Sequence, residues 1–120
     1  MVNEDVTGRR LVPAYSLDEV RRYAIDEKVR YAGDRVCDDT DELGLSVEEV
    51  CACLGSLVEG DFHESIQYGS RLTWHDVYLK PYRTPKGRHV ELYIKFKVLG
   101  DRLNLFICSF HPQGRKKDER

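Results

Sequence analysis

The clearest pattern in the chain is a strict alternation over residues 89 to 99. Val90, Leu92, Ile94, Phe96 and Val98 fall on one side of an extended strand, and Glu91, Tyr93, Lys95 and Lys97 fall on the other. One side must pack on an apolar layer; the other carries a tyrosine among lysines. The same two-residue period holds from residue 61 onward, so residues 62–68, 73–82 and 102–110 read as further strands. Their turns fall at Gly69, Pro85-Lys86-Gly87 and Gly100-Asp101, and short turns join antiparallel neighbours. The last strand is apolar on both sides, with Leu103, Leu105 and Ile107 opposite Phe106, Cys108 and Phe110, which predicts a central, covered strand. His111 stands at its end, before Pro112 breaks the ladder.

Upstream of residue 61 the period is helical. Ser16-Leu17-Asp18-Glu19 has the form of a capping box, with Tyr15 and Val20 as its hydrophobic staple, and predicts a helix to about residue 26. Ser46-Val47-Glu48-Glu49 repeats that arrangement with Leu45 and Val50. Val47, Val50, Cys51, Leu54 and Val58 then recur at helical spacing until Gly60 stops the helix. Between the two helices, residues 28–32 read as a short strand and Asp38-Asp39-Thr40-Asp41-Glu42 as an acidic loop. The expected fold is α+β: two N-terminal helices packed on an antiparallel sheet in a two-layer sandwich. Residues 1–13 lack periodicity and are expected to form a flexible extension, residues 14–113 a single domain, and residues 114–120 a disordered, charged tail.

Composition narrows the classes. At 120 residues the chain holds one core, and 41% hydrophobic with 33% charged residues describes a folded globular protein. No apolar run reaches the ~18 residues that a membrane span needs. Acids at Glu4 and Asp5 stand where a signal peptide has its basic region, so a cytoplasmic location is expected. The four cysteines contain no C-x-x-C, and Cys51 and Cys53, two apart on a helix, diverge; neither a disulfide nor a metal site is expected. The formal net charge of -2 is unusual for a nucleic-acid binder, but the acids concentrate in the first half. From Arg71 onward the chain carries Lys80, Arg83, Lys86, Arg88, Lys95 and Lys97, so a local basic face is possible.

Three clusters carry candidate chemistry: Asp61-Phe62-His63-Glu64, then Trp74-His75-Asp76-Val77-Tyr78, then His111. With Asp41-Glu42-Leu43-Gly44-Leu45, Ser65, Tyr93-Ile94-Lys95 and Ser109-Phe110, they resemble in order and spacing the MqsR family of bacterial type II toxins, over roughly residues 15 to 111. The resemblance implies a RelE-like fold, a messenger-RNA interferase that works without the ribosome, and a cognate antitoxin that binds zinc and DNA. The family's catalytic tyrosine matches Tyr93. Its glutamine after the tryptophan is His75 here, its lysine after the D-F segment is Glu64, and its lysine after S-F is His111.

RNA cleavage through the 2′-OH needs a base, an acid for the leaving 5′-oxygen, and cations around the phosphate. His75, Glu64, Tyr93 and His111 supply acid/base groups, and Lys95, Arg71 and Lys97 supply positive charge, without a metal or other cofactor. Glu64 with a C-terminal His111 is similar to the pairing in a RelE-fold nuclease, which implies Glu64 as base and His111 as acid; His75 stands beside Glu64 as the other candidate base. Each residue also has a structural explanation. Glu64 shares its alternation with Phe62 and Ile66, His75 shares its own with Val77 and Leu79, and Trp74 is more often core than a base-stacking platform. The expected function is therefore a toxin that cuts single-stranded RNA; the alternative is a toxin-fold module that binds an antitoxin or RNA without cutting.

Overall fold

A computed structural model describes residues 5–69, 72–100 and 104–114. In chain order these form β1 (Val6–Arg10), α1 (Leu17–Ile25), β2 (Val29–Tyr31), α2 (Asp34–Glu42), α3 (Val47–Gly55), β3 (Phe62–Tyr68), β4 (Trp74–Arg83), β5 (His89–Leu99) and β6 (Asn104–Pro112). The strands make one sheet in the order β1-β3-β4-β5-β6-β2. Its neighbours are antiparallel except β2, which runs parallel to β6. The fold is α+β, but with a mixed sheet and three helices where an antiparallel sheet and two helices were expected. None of these helices is long and apolar enough to cross a membrane.

One face of the sheet is covered. Leu92, Ile94, Phe96 and Val98 of β5 meet Leu105, Ile107 and Phe110 of β6, under Val20 and Ala24 of α1, Val36 of α2, and Val50, Cys51 and Leu54 of α3. Burial of each large side chain stabilises the fold by about 1.5–3 kcal/mol. The alternation in β5 thus holds as expected, whereas β6 departs from simple parity. Lys95 pairs with Ser109 but Phe96 pairs with Ile107, so Cys108 is an extra residue in a bulge. The bulge turns Phe110 toward the core beside Leu105 and Ile107 and leaves Phe106 on the opposite face. Leu103 lies outside the described residues.

The helix ends follow from local chemistry. In α3, Ser46 Oγ accepts from Glu49 N (3.2 Å) and Glu49 Oε1 accepts from Ser46 N (2.8 Å), which completes the expected capping box. The helix ends at Gly55, ahead of Gly60, so Leu57 is buried and Val58 is half-exposed; Val47 is also half-exposed. Helix α2 occupies the expected acidic loop. It starts at Gly33 without a side-chain cap and buries Val36, Asp39 and Thr40. It stops in a Schellman arrangement: Gly44, at φ 78°, donates to Asp41 O, and Leu45 donates to Thr40 O. The Asp41-Glu42-Leu43-Gly44-Leu45 block is therefore a helix stop, with Leu43 and Leu45 both buried.

Residues 6–10 form the edge strand β1. They pair along β3, with Arg9 opposite Ile66 and Arg10 opposite Ser65. Gly8 lets the strand pass close to Trp74, whose Cη2 would lie 3.1 Å from any Cβ there. The sequence is silent because β1 presents no apolar alternation; its hold is mostly backbone pairing.

Candidate active site on the open sheet face

The second face of the sheet carries no helix among the described residues, and the register decides which side chains share it. Glu64 pairs with Val77, Val77 with Lys95, and Lys95 with Ser109. In the adjacent row Leu79 pairs with Tyr93 and Tyr93 with His111. Ile66 pairs with His75 on β4 and with Arg9 on β1. Paired residues point to the same side of a sheet, so Glu64, His75, Tyr93, Lys95 and His111 share this face. Lys97, paired with Phe106, extends it. Arg71 lies outside the described residues.

Two parity arguments change here. Glu64 does not follow Phe62, because the register shifts between them: Phe62 pairs with Tyr78, its ring edge-on at 5.5 Å, on the covered face, and Glu64 turns away. His75 does share its side with Val77 and Leu79, as alternation suggests, but that side is the open one. Val77, Ile66 and His75 are nonetheless buried, at 0%, 3% and 6% exposure. Polar side chains stand around them: Tyr68 meets His75 edge-on at 5.3 Å, and Lys95 lies over the Tyr68 ring and donates to its hydroxyl at 2.8 Å.

Tyr93 and His111 form the centre of this group. Their rings stack with centroids 5.3 Å apart and planes at 13°. His111 Nδ1 is 2.9 Å from the Pro112 carbonyl. Since a carbonyl only accepts, Nδ1 carries the proton in that contact and Nε2 is left to exchange one. Burial pushes the Tyr93 phenol up to about 12, helped by the nearby Tyr68 and Glu64 and opposed by Arg9. It remains a proton donor throughout the neutral range.

Arg9 is a residue the sequence did not single out. Its Nη1 donates to both Glu64 oxygens, at 2.8 and 2.7 Å, and the contact holds the guanidinium above its usual value. Tyr68 was also missed, although it lies four residues from Glu64 on the same alternation and was legible from it. Arg9 carried no such signal, since β1 presents no apolar alternation from which its register could be read. Among the described residues, no three His, Cys, Asp or Glu side chains group to hold a metal ion.

The remaining motif residues build the sheet. Asp76 is fully buried on the covered side and accepts from Ala14 N (2.9 Å), Tyr15 N (3.1 Å) and Ser65 Oγ (2.7 Å). It clamps the start of α1 to β3 and β4. Tyr15 donates to the Trp74 carbonyl at 2.7 Å, and the Arg10 guanidinium lies 4.2 Å from the centre of the Trp74 ring. Asp61 accepts from Val58 N at 3.0 Å and fixes the turn before β3. A cavity of about 400 Å³ between the start of α1, Phe62 and Tyr78 holds none of the candidate residues.

The blocks carrying the resemblance are thus a helix stop, a turn and a clamp, and they lie inside a match to a known family. The model of the family described as "Motility quorum-sensing regulator, toxin of MqsA" matches residues 12–112. No curated protein matches the chain. The match covers Glu64, His75, Tyr93, Lys95, Lys97 and His111, and begins after Arg9. The chain belongs to this family, and it is the toxin of a toxin–antitoxin pair.

Proposed function

We propose that this toxin is a metal-independent endoribonuclease that cuts single-stranded messenger RNA in the cytoplasm, on a RelE-like scaffold, and that its antitoxin is a zinc-binding protein. The observation that carries the reading is the stacked Tyr93–His111 pair beside the Arg9–Glu64 pair and Lys95 on one face without a helix.

Adjacent strands lie about 4.8 Å apart and the two residues stand one row apart, so three steps from β3 to β6 and two residues along the strand separate the Glu64 and His111 backbones by about 16 Å. Tyr93, on β5, stands between them. That order supports the following roles. Glu64 takes the proton of the ribose 2′-OH, whose oxygen attacks phosphorus. The bond to the 5′-oxygen breaks, and protonated His111 Nε2 gives that oxygen its proton. The Tyr93 hydroxyl, Lys95 and Arg9 hold the phosphoryl oxygens as charge develops, with Lys97 farther along the strand. The products are a 2′,3′-cyclic phosphate and a 5′-hydroxyl end. Of the two candidate bases, Glu64 is the more accessible, at 17% side-chain exposure, whereas His75 is buried under the Tyr68 edge. We assign His75 to positioning Tyr68 and, through it, Lys95.

The test uses toxin freed of antitoxin, in chelator, with an RNA and the same RNA methylated at every 2′-oxygen. Cutting of the first alone, leaving cyclic phosphate ends, is expected. Cutting of neither, with RNA or antitoxin still bound, would replace this reading by that of a binding module.

A further inference from the structure

Beyond the reacting groups, the open face contains an aromatic side chain that the core does not use. Phe106 is half-buried, yet it belongs neither to the core cluster nor to the partly buried residues packed on it. It pairs with Lys97 of β5 on one side and with Arg30 of the parallel strand β2 on the other. Leu105 and Ile107, its chain neighbours, are fully buried on the covered face, as are the flanking Phe96 and Val29 to within 8% exposure. Arg30, Phe106 and Lys97 therefore stand side by side across three adjacent strands, an aromatic ring between two cations. A ring packed for stability would have apolar neighbours across the sheet; here both are charged.

We propose that Phe106 is a base-stacking platform for the RNA on the 3′ side of the cleaved bond, with Arg30 and Lys97 binding the flanking phosphates. The inference rests on the nuclease reading for its direction. The leaving 5′-oxygen is placed at His111, so the strand that continues from it runs from the His111 end of β6. Phe106 lies along that strand, five residues back with one residue taken up by the bulge, a span of about 13 Å. That is the reach of about two extended nucleotides. Every base has a face that can stack on an aromatic ring, and phosphate contacts are blind to sequence, so the subsite adds affinity without demanding a particular base. It also draws in the N-terminal half, whose acidic balance gives no hint that Arg30 belongs to a phosphate track.

The experiment has two readouts on the full-length toxin. The first is cleavage of chimeric oligonucleotides that are 2′-O-methylated at all positions but one, so that the single ribose fixes the cut. With four nucleotides 3′ of that ribose, Phe106→Leu is expected to lower kcat/KM about 10-fold, through KM. With one nucleotide on that side it should change nothing. Arg30→Gln and Lys97→Gln should each reduce by about one the slope of log affinity against log salt. The second readout is binding of the fully methylated, uncleavable hexamer and trimer. Phe106→Leu should weaken the hexamer alone. If hexamer binding shows that loss but nothing is cut, the subsite stands and the nuclease reading fails. If RNA is cut and Phe106→Leu leaves both lengths unchanged, or weakens both equally, the subsite is overturned and the nuclease remains. If the variant loses antitoxin binding and keeps RNA binding, the surface is a protein interface and the proposal is wrong.

Discussion

The two faces of this sheet bury residues in opposite ways. On the covered face, Phe96, Leu105 and Phe110 are sealed by three helices and contact other apolar groups. On the open face, Val77 and Ile66 are almost as inaccessible, but their cross-strand neighbours are Glu64 and Lys95 for the first and Arg9 and His75 for the second. Lysine and arginine can stand there because they lay an apolar stem along the sheet and keep a polar tip outward. Burial alone therefore does not tell core from site. What distinguishes them is whether the neighbouring atoms can exchange protons and bind anions.

That comparison breaks most readily under truncation of the covered face. Phe96→Ala should cost about 3–5 kcal/mol in urea unfolding, since the site cannot collapse around the void. Lys97→Ala, its neighbour in sequence on the other side, should stay within about 0.5 kcal/mol. Truncation on the open face should reverse the pattern. Tyr93→Phe and His111→Ala are each expected to slow RNA cleavage by at least ~100-fold while the unfolding midpoint barely moves. Normal cutting by both variants would remove them from the site.

Asp76 sharpens the contrast, since it is a charged group on the covered side. Asp76→Ala strips the acceptor from two backbone N–H groups and the Ser65 hydroxyl, and a loss of about 1–3 kcal/mol in thermal unfolding is expected. Cleavage below the lowered Tm should persist. The smallest effect concerns pH. Burial favours the neutral Tyr93 phenol in the fold, with its value at about 12 against about 10 when unfolded. Its contribution is complete below pH ~10 and disappears as pH rises through about 12. Wild type and Tyr93→Phe should accordingly show parallel stability to pH ~10 and diverge above it, the wild type falling faster.

Much of the scaffold was legible. Alternation placed β3 to β6, and paired Ser and Glu residues placed α1 and α3, because each signal is local. Helix α2 escaped because it lacks a side-chain cap and its stripe is carried by Val36, Thr40 and Leu43 among acids. The Gly44-Leu45 stop was the clue that an acidic composition obscured. The site was legible as residue types and unreliable as geometry. Two register shifts, one before Glu64 and one at Cys108, reassign faces that parity had assigned otherwise, and bulges leave little trace in a single sequence. Arg9 was out of reach for another reason: β1 is held mostly by backbone bonds and has no apolar alternation to read.

That same strand gives the toxin a soft point. Arg9 reaches Glu64 from a five-residue edge whose outer side pairs with no strand among the described residues, and Val6 and the following Leu11 and Val12 are substantially exposed. Short edges of this kind open at a small fraction of the free energy of global unfolding. A brief peeling of β1 would lift the guanidinium off Glu64 and leave the carboxylate bare, with the helices and the Tyr93–His111 stack undisturbed. The charge beside Glu64 is therefore set by an edge strand that lends no side chain to the helix-covered core, so substitution at Arg9 changes that charge without touching what holds the core together.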